Sequence, residues 1–113
     1  MKEIELYTTK DGYCPYVEWI QSLSPQFRTR INKRINRMRD GNLGDWKPLT
    51  NSELSELRFF FGKGYRVYFK EHENTIILIL AGSDKDNQNR VIRQANLYYD
   101  EYKTRSKQDE YKI

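Results

Sequence analysis

The sequence predicts a small α+β domain with the element order β-α-α-β-β-β-α, its helices packed on one side of a small, mostly antiparallel sheet. Three observations carry this reading. Residues 57–69 hold two apolar-aromatic runs flanking Gly62-Lys63-Gly64, the pattern of a β-hairpin with a three-residue loop. Residues 75–81 are apolar without alternation, so that strand is expected to be covered on both faces and central in the sheet. Residues 25–40, and again the stretch from about Asn87, repeat apolar side chains at helical spacing instead.

The elements follow in order. Ile4-Glu5-Leu6-Tyr7 alternates and reads as a short first strand, with a polar turn after it at 8–12. Pro15 opens a short helix carrying Val17, Ile20 and Leu23 at helical spacing, and Tyr16 and Trp19 widen its apolar face. Ser24-Pro25 restarts the chain, with Ser24 as N-cap and Pro25 at the first helical position. This second helix is expected to reach Arg39 or Asp40, with an apolar stripe of Phe27, Ile31, Ile35 and Met38 and Gly41 at its C-cap. Its other positions are strongly basic: Arg28, Arg30, Lys33, Arg34, Arg37 and Arg39. Such a run is a solvated helix face or a surface for an acidic partner segment. Residues 42–49 read as loop, the second strand begins near Leu54, and 71–74 form a turn. In the last helix Val91, Ile92, Ala95, Tyr98, Tyr99 and Tyr102 point inward or half-inward. The domain is thus expected over 1–103, with 104–113 as a polar, frayed C-terminal tail.

A chain of 113 residues is one domain with a modest core, and 14% aromatic content is too high for a disordered chain. The net charge of +4 is moderate, so clustering of cations matters more than their total. Cys14 stands alone, which excludes a disulfide framework and a cysteine metal site. Lys2, Glu3 and Glu5 interrupt any signal-peptide pattern, and the longest apolar run, 76–81, is too short to span a membrane. A cytoplasmic protein with no membrane association is expected. His72, the one histidine, sits in the predicted turn beside Glu71 and Glu73 and is read as exposed. There is no metal-ligand spacing, no glycine-rich phosphate loop and no carboxylate pair, so neither a metal nor another cofactor is expected.

The hairpin register carries the functional reading. If Phe61 faces Tyr65, then Phe59 faces Val67 and Leu57 faces Phe69, and these six form one apolar face. The second face then holds Arg58 opposite Tyr68 and Phe60 opposite Arg66. Two guanidiniums beside two aromatic rings suit a phosphate and a base; a solvated face with cation–π packing is the alternative. Lys47 before the hairpin, Lys63 at its tip and Lys85 past the central strand add cations. RNA cleavage without metal needs cations at the non-bridging oxygens and help in activating the 2′-hydroxyl.

Leu54-Ser55-Glu56-Leu57-Arg58, Gly64-Tyr65-Arg66-Val67-Tyr68-Phe69 and Leu80-Ala81-Gly82-Ser83-Asp84-Lys85 with Gln88, Ile92 and Ala95 resemble the RelE/ParE/HigB superfamily of toxins from type II toxin–antitoxin systems. Asp40-Gly41-Asn42-Leu43-Gly44-Asp45 before Lys47-Pro48-Leu49 also fits the branch of putative addiction-module killer proteins. The resemblance covers roughly residues 4–103 and rests on the ordered set of motifs. It implies the same β-α-α-β-β-β-α fold and a cognate antitoxin, usually a helix-turn-helix protein from the same operon. RelE-like members are mRNA endonucleases (mRNA interferases) that cut mRNA in the ribosomal A site and so inhibit translation. By resemblance Arg66 holds the scissile phosphate, Lys85 sits near a second cationic position after the last strand, Arg58 near a basic position on the preceding strand and Lys47 near the basic loop before it; Arg66, Lys85 and Arg58 are the expected catalytic residues. Lys63, Phe60 and Tyr68 join Lys47 as the expected RNA-binding residues. The resemblance departs where RelE-like nucleases carry a tyrosine early in the last helix, since 88–92 holds none, nor does the tail hold the histidine of some HigB-like members. A non-catalytic, ParE-like inhibitor of a target such as DNA gyrase and a non-toxic RNA-binding domain therefore stand beside the endoribonuclease.

Overall fold

The computed structural model describes residues 1–110. Its centre is set by the apolar run of the last strand. β5 (Ile76–Ser83) has a neighbour on each side: β1 (Glu3–Leu6) pairs with it in parallel and β4 (Arg66–His72) antiparallel. β3 (Ser55–Arg58) follows β4, and β2 (Trp46–Pro48) forms the far edge, giving the order β1-β5-β4-β3-β2. The sheet is mixed and mostly antiparallel, as expected. β2 adds one strand to the predicted order. It lies in a stretch expected to be loop, pairs Trp46, Lys47 and Pro48 with Leu57, Glu56 and Ser55, and ends on a proline, which an edge strand tolerates.

Helices α1 (Pro15–Gln21) and α2 (Pro25–Arg37) cover one face. There Tyr16, Ile20, Ile31, Ile35 and Met38 meet Leu57, Phe59, Val67, Phe69, Ile77 and Ile79. Gly82 lets α1 come close, since a Cβ at this position would lie 2.1 Å from the Trp19 ring. A short 3₁₀ turn, Met38–Asp40, continues α2, and Gly41 ends it at φ 84°, the left-handed C-cap anticipated from sequence. The third helix, α3 (Gln88–Glu110), packs on the opposite face through Ala95 and Tyr99 against Tyr68, Leu78 and Leu80. The helices are therefore not all on one side. The reason lies in β5: Ile77 and Ile79 point one way, Leu78 and Leu80 the other, and all four are sealed from solvent, so both faces need cover.

α3 also runs beyond residue 103, where a tail was expected. Thr104 Oγ1 donates to the Asp100 carbonyl at 3.0 Å, while Arg105 pairs with Glu101 at 3.0 Å, one helical turn back, and donates to the Thr8 carbonyl at 2.8 Å. The rest of the predicted tail, 111–113, lies outside the described residues. His72 ends β4 instead of sitting in an exposed turn, and it packs edge-on to Tyr99 and Tyr102.

The hairpin register is shifted by two residues from the predicted one. Leu57 faces Val67, Arg58 faces Arg66, and the Phe59 amide donates to the Tyr65 carbonyl at 2.9 Å. The loop is thus five residues, 60–64, with Gly62 and Gly64 at positive φ. Phe61 leaves the strand line because its ring stacks on Phe27 at 5.2 Å and takes the Arg30 guanidinium at 3.8 Å from its centroid. Since the shift is two, the parity of every side chain is kept.

Candidate functional site

The parity brings charge to one end of the sheet on the α3 face. Glu56 faces Tyr68, Arg58 faces Arg66, and Ser83 follows across β4 from Arg66. Two like charges directly opposite one another repel, and each arginine here has its own acceptors. Arg58 Nη2 donates to Asp45 Oδ1 at 2.9 Å. Arg66 Nη1 donates to the Gly64 carbonyl at 2.8 Å, and its Nε lies 3.9 Å from Glu56 Oε2. Lys47 Nζ lies 3.8 Å from the other oxygen of Glu56. Glu56 itself is only 4% exposed.

Among the described residues, three buried side-chain atoms have no protein hydrogen-bond partner: Arg58 Nε, Arg66 Nε and Asp45 Oδ2. Buried polar atoms are nearly always paired, so the gathering of all three at one end of the sheet marks it out.

Lys85 joins this end from the turn after β5. Asp84 Oδ1 accepts from the Asp86 and Asn87 amides at 2.8 and 3.2 Å, and Asn87 Oδ1 accepts from the Asp84 amide at 3.0 Å, which shapes the turn into α3. The Lys85 stem crosses Gly64: a Cβ there would lie 3.0 Å from Lys85 Cε. Arg66 is held by the carbonyl of that same glycine, so both side chains lie against Gly64. The amine of Lys85 has no ion pair among the described residues, nor has that of Lys63 at the exposed hairpin tip.

The proposed RNA-binding residues divide. Lys47 and Lys63 are exposed, and Phe60 is 79% exposed, though in the loop and not opposite Arg66. Tyr68 is fully buried, so its ring offers no face to a base, contrary to the reading from sequence. Its hydroxyl is 2.7 Å from Ser83 Oγ, and burial pushes the phenol up to about 12 against the opposing effect of that bond.

A second basic feature adjoins the first at Arg58. Arg30, Lys33, Arg34 and Arg37 of α2, with Asp45, Arg58 and Phe59 to Phe61, line an open cleft of about 540 Å³. Arg34 is structural: it donates to the carbonyls of Arg58 and Asp45 and to that of Leu43 at 3.4 Å, and its guanidinium lies over Phe59. Burial lowers its pKa, with Asp45 opposing. Lys33 and Arg37 are exposed.

Sequence reasoning did not single out Glu56, Asp45, Ser83 or Arg34. Strand parity was a usable signal for Glu56, two residues before Arg58; no local signal ties Asp45 to Arg58. Among the described residues no group of three or more His, Cys, Asp or Glu is placed to hold a metal ion, and no helix is long and apolar enough to cross a membrane.

No family model matches the chain. Over 80 residues it is 40% identical to an uncharacterized protein of Haemophilus influenzae, an alignment covering 70% of this chain and 80% of that one.

Proposed function

The chain belongs to one family with that Haemophilus influenzae protein, and we propose that it is the toxin of a type II toxin–antitoxin module, of the RelE/ParE/HigB kind. In this reading it is a cytoplasmic, ribosome-dependent mRNA endonuclease that needs no metal. The observation that carries the reading is the convergence of Arg58, Arg66 and Lys85 at one end of the sheet.

The chemistry follows from the side chains. Attack of a 2′-oxygen on the adjacent phosphorus loads negative charge onto the non-bridging oxygens. Arg66 can meet two of those oxygens with a planar fork and keeps its charge near neutral pH, Lys85 adds a compact charge, and Arg58 assists from the opposite strand. The cleft along α2 gives the rest of the strand a cationic wall, and Phe60 a ring on which a base can stack. The ribosome supplies the proton acceptor or pre-organises the 2′-hydroxyl, which accounts for a site without a side chain in that role. The same basic helix attracts the acidic residues of a helix-turn-helix antitoxin.

The test is induced expression with and without the neighbouring reading frame, followed by mapping of mRNA ends. Growth arrest with new mRNA ends, relieved by a neighbour that co-purifies with the toxin, is the expected result. Arrest without new ends contradicts the nuclease and favours a ParE-like inhibitor of a target such as gyrase. A protein that is harmless and uncomplexed leaves the RNA-binding domain.

A further inference from the structure

We propose that Glu56 is a positioning residue, a buried carboxylate that holds the Arg66 guanidinium in the orientation in which it meets a phosphate. The inference rests on the reading of Arg66 as the phosphate-binding residue and deepens it.

A carboxylate that is 4% exposed is costly to keep ionised unless cations face it. Glu56 meets that condition on both oxygens, with Lys47 at 3.8 Å and Arg66 at 3.9 Å. Its backbone is paired on both sides, to Lys47 of β2 and to Tyr68 of β4, so the carboxylate stands on a rigid platform. Arg66 Nη1 donates to the Gly64 carbonyl at 2.8 Å, while Glu56 Oε2 stands 3.9 Å from Nε, a charge contact longer than a hydrogen bond. The hydrogen bond anchors one end of the flat group, and the carboxylate charge draws its Nε edge toward Glu56. Nη2 makes no protein hydrogen bond among the described residues and is free to donate.

A phosphate is bound by two parallel donors only when that plane is set beforehand. Glu56 also offsets the repulsion between Arg58 and Arg66, which face each other directly. Its oxygens face the two cations, which suits a group acting through Arg66 and not one touching substrate.

The experiment combines two variants with two readouts. Glu56→Gln keeps the shape and loses the charge; Glu56→Leu also removes the polar end, and because removing one partner of a buried ion pair is destabilising, rates are referred to the folded fraction of each variant. Single-turnover cleavage is measured on purified ribosomes carrying a defined mRNA with an open A site, in the wild-type and Arg66→Ala backgrounds. Both variants should lower the saturating rate by about 10–100-fold, the size typical of removing a partner that orients an active group. The half-saturating ribosome concentration should stay within about threefold, because binding energy from the rest of the surface is retained. In the Arg66→Ala background they should cause no further loss, since their effect passes through Arg66. In the free protein, rotation of the Arg66 guanidinium about its Nε–Cζ bond, read by NMR, should be slow in the wild type and faster in both variants.

A wild-type rate in both Glu56 variants while Arg66→Ala is slow would overturn the inference and leave the phosphate-site reading standing. So would equal losses in the two backgrounds, or a guanidinium rotation indifferent to Glu56. Full-rate cleavage by Arg66→Ala would instead remove the phosphate-site reading, and the inference with it.

Discussion

Under α1 and α2 the sheet meets Ile31, Ile35 and Met38 across a dry apolar layer, whereas the α3 face changes character along its length. At one end Leu78, Leu80 and Ala95 are as fully buried as anything on the first face; at the other stand Glu56, Arg58 and Arg66. Apart from tyrosines, the buried polar side chains among the described residues are Glu56 and Ser83, and both belong to the α3 face. One face is spent on stability. The other is split, and its second end keeps charges that an apolar core would exclude. Substitutions should therefore separate the two: changes on the first face lower the melting temperature and spare the activity of each folded molecule, while changes at the cationic end do the reverse.

The largest stability effect is expected at Ile79, fully buried on the first face. Ile79→Ala should cost about 2–5 kcal/mol in urea unfolding, the usual range for truncating a buried aliphatic side chain. A midpoint that hardly moves would show that β5 is not the strand that holds the sheet together. Gly82→Ala comes next. The added methyl would fall 2.1 Å from the Trp19 ring, so α1 must shift, at about 1–3 kcal/mol as for other overpacked cores. Loss of cleavage without loss of stability in this variant would blur the division between the faces. The smallest effect belongs to Lys63→Ala. Its amine has no ion pair among the described residues and sits at the exposed loop tip, so cleavage should change by less than about threefold, within the reach of one screened surface charge.

Much of this was legible because β-structure has a period of two. The hairpin register predicted from Gly62-Lys63-Gly64 was off by two residues, since Phe61 is drawn out of the strand by Phe27 and Arg30, yet Arg58 and Arg66 stayed on one face. An error of one residue would have separated them. The unbroken apolar run of β5 correctly indicated cover on both faces, and that alone argues against helices on a single side. The three residues of β2 carry no readable pattern; they are a strand only because an edge was there to pair with. The site was harder to read. A glutamate in a strand carries no mark of being buried, and the pairing of Arg58 with Asp45 depends on where a loop returns. Tyr68 looked exposed because the outer face of the hairpin was taken as open, whereas Ser83 and the cluster under α3 enclose it.

The account's central claim is that the cationic end of the sheet holds the phosphate of an RNA substrate. Single-turnover cleavage of a defined mRNA on ribosomes with an open A site, comparing the wild type with Arg66→Ala, tests it most directly. Removing one preorganised cationic donor typically costs about 10²–10³ in rate, and that loss is expected here in a protein that still folds and binds its antitoxin. Undiminished cleavage by Arg66→Ala would contradict the claim.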